Sequence, residues 1–286
     1  MFVRFFDVDL SKSNEKPVPL GVIDSLGTFS ANYSIIPVVF ITNRTFFHLT
    51  QAEVEQLAKK VTTKINALYP SYQELQIDCD WSANSRENYF LFLEEVKKEI
   101  SAKANLSCTV RLHQIKYPVR SGVPPVDRGM LMFYNMGDLT DMNGPNSIYD
   151  KENANKYVPY IKNYSLKLDV ALPIFKWLVH YHNNEVAGLV TKKQMPDITD
   201  ADCFVPVNNN SIFKLKHDTL IKGVYYNCND ILKYEMLDDE HLLEAADLLK
   251  TYLKEEERRV VLYDLDELNL ENYESKTIKK VFSIFN

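Results

Sequence analysis

The run Glu74-Leu75-Gln76-Ile77-Asp78-Cys79-Asp80-Trp81 sets two carboxylates two residues apart, and in an extended chain that spacing puts both on one face. Gln76 shares their side, while Leu75, Ile77 and Cys79 take the other. Like charges that close can raise one pKa, leaving one carboxyl as an acid and its neighbour as a base or electrostatic stabiliser. About thirty residues later, Leu106, Cys108, Val110 and Leu112 alternate with Ser107, Thr109, Arg111 and His113. Two such strands, each apolar on one side and reactive on the other, fit a barrel. Helices would cover the apolar side, and the polar side would line the lumen.

The flanking pattern supplies the elements that such a barrel needs. Phe2–Val8 reads as a strand that ends in Asp7 and Asp9, and Ile35–Thr42 as a buried parallel strand. Thr50 followed by Glu53 has capping-box spacing and opens an amphipathic helix to Tyr69, stopped by Pro70. After the acidic strand come a helix over 85–102 and the Arg/His strand, then apolar strands at Gly129–Asn135 and Leu166–Phe175. From Lys176 to Leu237 the alternation breaks down. Trp177–Val190 reads as a hairpin turning at Asn183-Asn184, and Val205–Glu235 as loop and irregular β. A helix over 239–254, a last strand over Arg259–Asp264 and a short terminal helix close the pattern. Strands alternating with long helices indicate a parallel sheet. The expectation is an α/β fold, a TIM-like barrel of one domain over 1–286, with 176–237 inserted before its last βα unit.

In parallel barrels the carboxyl ends of the strands surround the active site. Those ends gather Asp7, Asp9, Thr42, Asn43, Arg44, Asp78, Asp80, Arg111, His113 and Gln114, then Tyr134, Asn135, Asp138, Asp264, Asp266, Glu267 and Asn269. Acids, amides and aromatic rings suit a sugar-like ligand, whose hydroxyls need polar partners and whose ring faces need Trp or Tyr. Structural readings compete at each position. Asp78 and Arg111 would neutralise each other inside the lumen, and Trp81 would either stack on a sugar or plug the barrel. Asp7 and Asp9 would cap loops, His113 would be a satisfied core or surface residue, and Asp264, Asp266 and Glu267 would form an exposed turn.

The 286 residues carry a net charge of −6, which argues against a broad nucleic-acid-binding surface. No apolar run is long enough to span a bilayer, and no export signal is visible at Met1. The four cysteines are too scattered for a disulfide framework or a CxxC metal site. No GxGxxG, Walker, GxSxG or HExxH motif occurs, so no cofactor and no metal is called for.

The ordered motifs Leu75-Gln76-Ile77-Asp78-Cys79-Asp80-Trp81, Leu106 to Leu112, Met130-Leu131-Met132-Phe133-Tyr134-Asn135 and Val261-Leu262-Tyr263-Asp264-Leu265 resemble an uncharacterised bacterial family known only as a domain of unknown function. That resemblance implies a TIM-like barrel of glycoside-hydrolase type and carries no established activity. Members of that family begin with an export or lipoprotein signal and one further strand. Here the start looks like the second strand, so the first is lacking or replaced, or the start has been trimmed. An exported protein of the cell envelope or periplasm is implied in the trimmed case, and a cytoplasmic one otherwise. The Asp-x-Asp strand is also similar to the DxxDxDxE motif of chitinase-like barrels. The final Glu, the general acid there, is replaced by Ser82.

Two readings follow. In the first, the chain is a carbohydrate-active barrel with Asp80 and Asp78 as candidate catalytic carboxylates and Glu235, Asp264 or Asp266 supplying another. Trp81, Arg111, His113, Tyr134, Asn135 and Asp7 would contact the carbohydrate or other polyhydroxylated ligand. In the second, a non-catalytic barrel binds a glycan or a protein partner at the cell envelope.

Overall fold

The computed structural model describes residues 1–26, 33–208 and 211–285. Residues 27–32 of the predicted loop after the first strand, 209–210 of the insertion, and 286 lie outside the described residues. The chain divides into two compact units, Met1–Met132 with Asn163–Val170, and Phe133–Lys162 with Ala171–Asn286.

The first unit holds β1 (Phe2–Leu10), β2 (Pro17–Leu20), β3 (Ile36–Ile41), β4 (Glu74–Asp78), β5 (Asn105–Arg111) and β6 (Arg128–Met132) in the order β2-β1-β3-β4-β5-β6. Pairing is parallel along β1-β3-β4-β5-β6, and β2 runs antiparallel beside β1. β7 (Leu168–Pro173) and β15 (Val260–Tyr263) follow later in the chain. A register shift in β1 between Arg4 and Phe6 lets the consecutive residues Phe5 and Phe6 both bury.

Helix α1 (Gln51–Leu68) starts in the predicted capping box: Glu53 accepts from the Thr50 amide at 2.9 Å while Thr50 Oγ1 accepts from the Glu53 amide. It ends two residues before Pro70, as the steric restriction ahead of proline requires. Helix α2 (Arg86–Glu99) buries Tyr89, Phe92, Leu93 and Val96. Leu75, Ile77, Cys79, Leu106, Cys108 and Val110 are buried as the strand period demands. Burying an aliphatic side chain contributes roughly 1.5–3 kcal/mol, so this period fixes which face of β4 and β5 remains for polar groups.

The second unit contains the insertion. Here the structure differs from the irregular β expected. The insertion is a five-stranded antiparallel sheet in the order β10-β11-β14-β8-β9, formed by β8 (Lys176–His182), β9 (Glu185–Thr191), β10 (Phe204–Asn208), β11 (Ile212–Leu215) and β14 (Ile231–Met236). A hairpin of β12 (Thr219–Ile221) and β13 (Val224–Tyr226) accompanies it. Leu178, Val190, Phe204, Phe213, Leu215, Tyr226 and Leu232 give it a hydrophobic core of its own. Short strands hid this order in the sequence. The turns are made by residues at positive φ, Asn183, Asn184, Lys222, Gly223 and Asn229. Helix α3 (Asp239–Tyr252), capped by Asp238, and helix α4 (Ser275–Phe285) pack together. Among the described residues no helix is long and apolar enough to cross a membrane.

Candidate functional site

In the first unit, the carboxyl ends of the parallel strands gather charge as expected. Asp7, Phe40 and Asp78 stand level across β1, β3 and β4. Asp7 pairs with Arg4, whose guanidinium lies 4.7 Å over the Phe40 ring. Asp9 receives the Thr42 hydroxyl at 2.7 Å and a two-pronged contact from Arg44. The Arg44 hydrogen bond, aided by Thr42, holds the Asp9 carboxyl well below the usual carboxylate range, although burial opposes it.

Asp80 is held by Arg111 in a fork: Nη2–H donates to Oδ2 at 2.5 Å while Nε–H donates to Oδ1. The carboxylate nonetheless keeps 41% of its side-chain surface in solvent. Arg111 therefore pairs with Asp80, where the sequence suggested Asp78. Asp78 instead accepts the Thr109 hydroxyl at 2.6 Å. Burial pushes the Asp78 pKa up, and the Asp80 charge adds to this, against the Thr109 hydrogen bond and the Arg111 and Arg4 charges. The Asp78 carboxyl is thus pushed toward its protonated form. Two residues beyond Asp80, Ser82 Oγ accepts from Asn43 Nδ2 at 3.3 Å.

Trp81 takes the packed alternative. It is 1% exposed, donates Nε1–H to the Ser121 carbonyl at 2.8 Å and stacks on Tyr89 with ring centroids 5.3 Å apart. His113 is not on the strand, since β5 stops at Arg111 and a short helix, Leu112–Lys116, follows. Gln114 turns the chain there, accepting from the Arg111 amide at 2.7 Å and donating to the Trp81 carbonyl at 2.9 Å. His113 is exposed on that helix, and partial burial of its ring together with the Arg111 charge lowers its pKa.

The second unit holds the other candidates. Tyr134 is buried and stacks on Tyr263, with centroids 5.3 Å apart and planes 6° from parallel, and Phe175 packs edge-on against both. Tyr263 is 44% exposed. Asn135 is exposed and adopts a positive φ of 55°. Asp264 forms an ion pair with Lys192. Glu235 is on β14 and is 3% exposed, with every lone-pair direction engaged. It accepts from the Ser147 amide at 3.1 Å, the Ser147 hydroxyl, Trp177 Nε1 at 2.8 Å and Lys233 Nζ at 2.9 Å. Lys233 spends its remaining donors on the Gly144 and Pro145 carbonyls, at 2.9 and 3.0 Å. This knot ties β14 to β8 and to the 144–147 loop, and it leaves Glu235 nothing with which to attack or protonate a substrate.

Sequence reasoning missed several groups. Buried Asp230 takes His180 Nε2 at 2.6 Å and His182 Nδ1 at 2.7 Å, a pairing that the His180-x-His182 spacing could have flagged. Burial opposes ionisation of Asp230, but bonds from Asn227, His182 and His180 hold its pKa below the usual value. Both imidazoles point at the carboxylate, and among the described residues no group of three or more His, Cys, Asp or Glu is placed to hold a metal ion. Tyr263 was also passed over, although it directly precedes Asp264. A cleft of about 690 Å³ lined by Asn146, Tyr149, Lys233, Glu235, His241 and Glu244 has polar groups that meet one another: Lys151 pairs with Glu244, and His241 Nδ1 lies 2.7 Å from Asp238 Oδ1.

No protein-family model matches the sequence, and no curated protein matches it. Solved structures do. A chitinase from Chromobacterium violaceum matches with a TM-score of 0.58 over 99% of this chain and 90% of its own, at 11% identity. A chitinase from Rhizomucor miehei matches at 0.55, over 98% and 94%, with 12% identity. The Bacillus cereus spore cortex-lytic enzyme SleL matches at 0.53, over 96% and 67%, with 14% identity. The chain therefore has the α/β TIM-like barrel fold of these glycosidases. At such identities the likeness establishes the fold alone.

Proposed function

We propose that this glycoside-hydrolase-like barrel binds a glycan at its strand ends and that Asp80 serves recognition there instead of catalysis. The observation that carries the reading is the Asp80–Arg111 fork. A carboxylate whose two oxygens are both taken by one guanidinium is a poor nucleophile or base, and its exposed edge still accepts hydroxyls. Ser82 stands where chitinase-like barrels carry the acid, and a serine hydroxyl cannot protonate a glycosidic oxygen at neutral pH. Separately, in the second unit, partly exposed Tyr263 stacked on buried Tyr134 suits a sugar ring. The structural neighbours are named for chitin and for spore cortex, so polymers of N-acetylated amino sugars are the first ligands to try. Membership of the bacterial family of unknown function and a place at the cell envelope belong to the same proposal.

Titration calorimetry with N-acetylglucosamine tetramer, paired with a reducing-end assay on the same mixture, tests it. The expected result is binding without new reducing ends, weakened at least tenfold in Asp80→Ala. New reducing ends that disappear in Asp80→Asn would overturn it. A second reading, hydrolysis with Asp78 as the proton donor, is favoured by the raised pKa of that carboxyl. It predicts turnover in the parent protein that is lost in Asp78→Asn.

A further inference from the structure

A smaller cleft in the second unit, about 330 Å³, carries a charge that the glycan reading does not use. Five segments build it: Lys176 at the start of β8, Lys192 with residues 195–198, Lys222 in the β12–β13 turn, Tyr234 on β14, and Leu268 with Asn269 after β15. Three ammonium groups thus line one small space in a chain whose net charge is −6. Two of them bond to neutral oxygens, Lys176 to Asn272 Oδ1 at 3.1 Å and Lys222 to the Met195 carbonyl at 2.7 Å. The third, Lys192, is paired with Asp264.

The acids do not cancel this set. Asp197 also lines the cleft, near enough to Lys222 to feel its charge, but its carboxylate accepts from the Thr199 amide at 3.0 Å and the Thr199 hydroxyl at 2.7 Å. Counting Asp264, three cations meet two anions. An ammonium carries three donors, and partly buried Lys176 directs one of them at a neutral amide. The volume is at the low end for small-molecule pockets, enough for one sugar residue or its substituent. The cleft's lining adjoins the aromatic cluster in sequence. Lys176 follows Phe175, whose ring centroid is 5.8 Å from that of Tyr263, and Asp264, the partner of Lys192, follows Tyr263.

We propose that this lysine-lined cleft binds the anionic substituent of an acidic saccharide whose neighbouring ring stacks on Tyr263. The inference rests on the glycan reading and names its ligand class: a carboxylate-bearing glycan is preferred to a neutral one. The test compares, by calorimetry on the full chain, a neutral tetramer of N-acetylglucosamine with a tetramer alternating N-acetylglucosamine and glucuronic acid. The acidic tetramer should bind about tenfold more tightly at low salt, with the advantage shrinking as salt is raised. A Lys176→Gln, Lys222→Gln double variant keeps donors toward Asn272 and Met195 while removing both charges. It should bring the acidic tetramer down to the neutral one and leave neutral binding within twofold. Circular dichroism confirms that the variant is folded, and Lys176→Arg should retain the preference. Equal affinities in the parent, or a preference that survives the double variant, would overturn the inference and leave the glycan reading standing. Binding of neither tetramer would overturn both.

Discussion

Asp78 and Asp80 show how two chemically equal side chains acquire different roles from their neighbours. Asp80 gains a guanidinium; Asp78 gains a single hydroxyl and loses water. Because the folded pKa of Asp78 lies above the unfolded value near 3.9, the native state holds this proton more tightly than the unfolded chain does. Its contribution is therefore favourable at low pH and is lost as pH rises from the unfolded value through the folded one. Asp78→Asn, which keeps an acceptor for Thr109, should remove that slope. Urea midpoints measured between pH 4 and pH 8 should fall less steeply with rising pH than in the parent, and parallel profiles would show that the carboxyl is not perturbed. Asp9 has the opposite sign. Its lowered pKa stabilises the fold above the unfolded value, and that stabilisation is lost as pH falls toward the folded one. Asp9→Asn should flatten the acid limb of the same profile.

At the scale of elements, the Lys233–Glu235 pair decides how β14 is held. Removing one member leaves the other buried and uncompensated, which costs about 3–5 kcal/mol in comparable pairs. Glu235→Gln should destabilise the protein by about that amount while leaving glycan binding by the folded fraction unchanged, as read from unfolding curves and calorimetry. A large loss of affinity at unchanged stability would instead return Glu235 to the site. The insertion teaches a related lesson about legibility. The β8–β9 hairpin was readable from Asn183-Asn184 between two apolar runs. β10 to β13 were not, because three to five residues are too few to establish a period. Their order comes from a shared core that only the folded sheet assembles.

For the whole molecule, the fold and the net charge bound what the protein can do without naming it. A net charge of −6 gives the chain no overall attraction for a phosphate backbone, so no nucleic-acid complex is expected. Electrophoretic shift assays with duplex DNA at physiological salt should show no complex at micromolar protein; a discrete shifted band would contradict this. The barrel itself is shared with enzymes that act on glycans, and the same scaffold hosts unrelated chemistries once its strand-end residues change.

The sequence by itself determined the parallel strands, their helices, the place of the insertion and the gathering of acids at the strand ends. Each of these follows from a local period or a cap, Leu75-Ile77-Cys79 on one face of β4 or Thr50 with Glu53 at α1, and local spacing survives in one dimension. Only the tertiary structure decided that Arg111 takes Asp80 and not Asp78, that Trp81 plugs the core, that His113 leaves its strand and that Glu235 is locked by Lys233 and Ser147. Those outcomes depend on which side chains meet across about thirty to ninety residues of chain. Such a meeting is set by register and by the desolvation of charge, and neither is written in the spacing of any single segment.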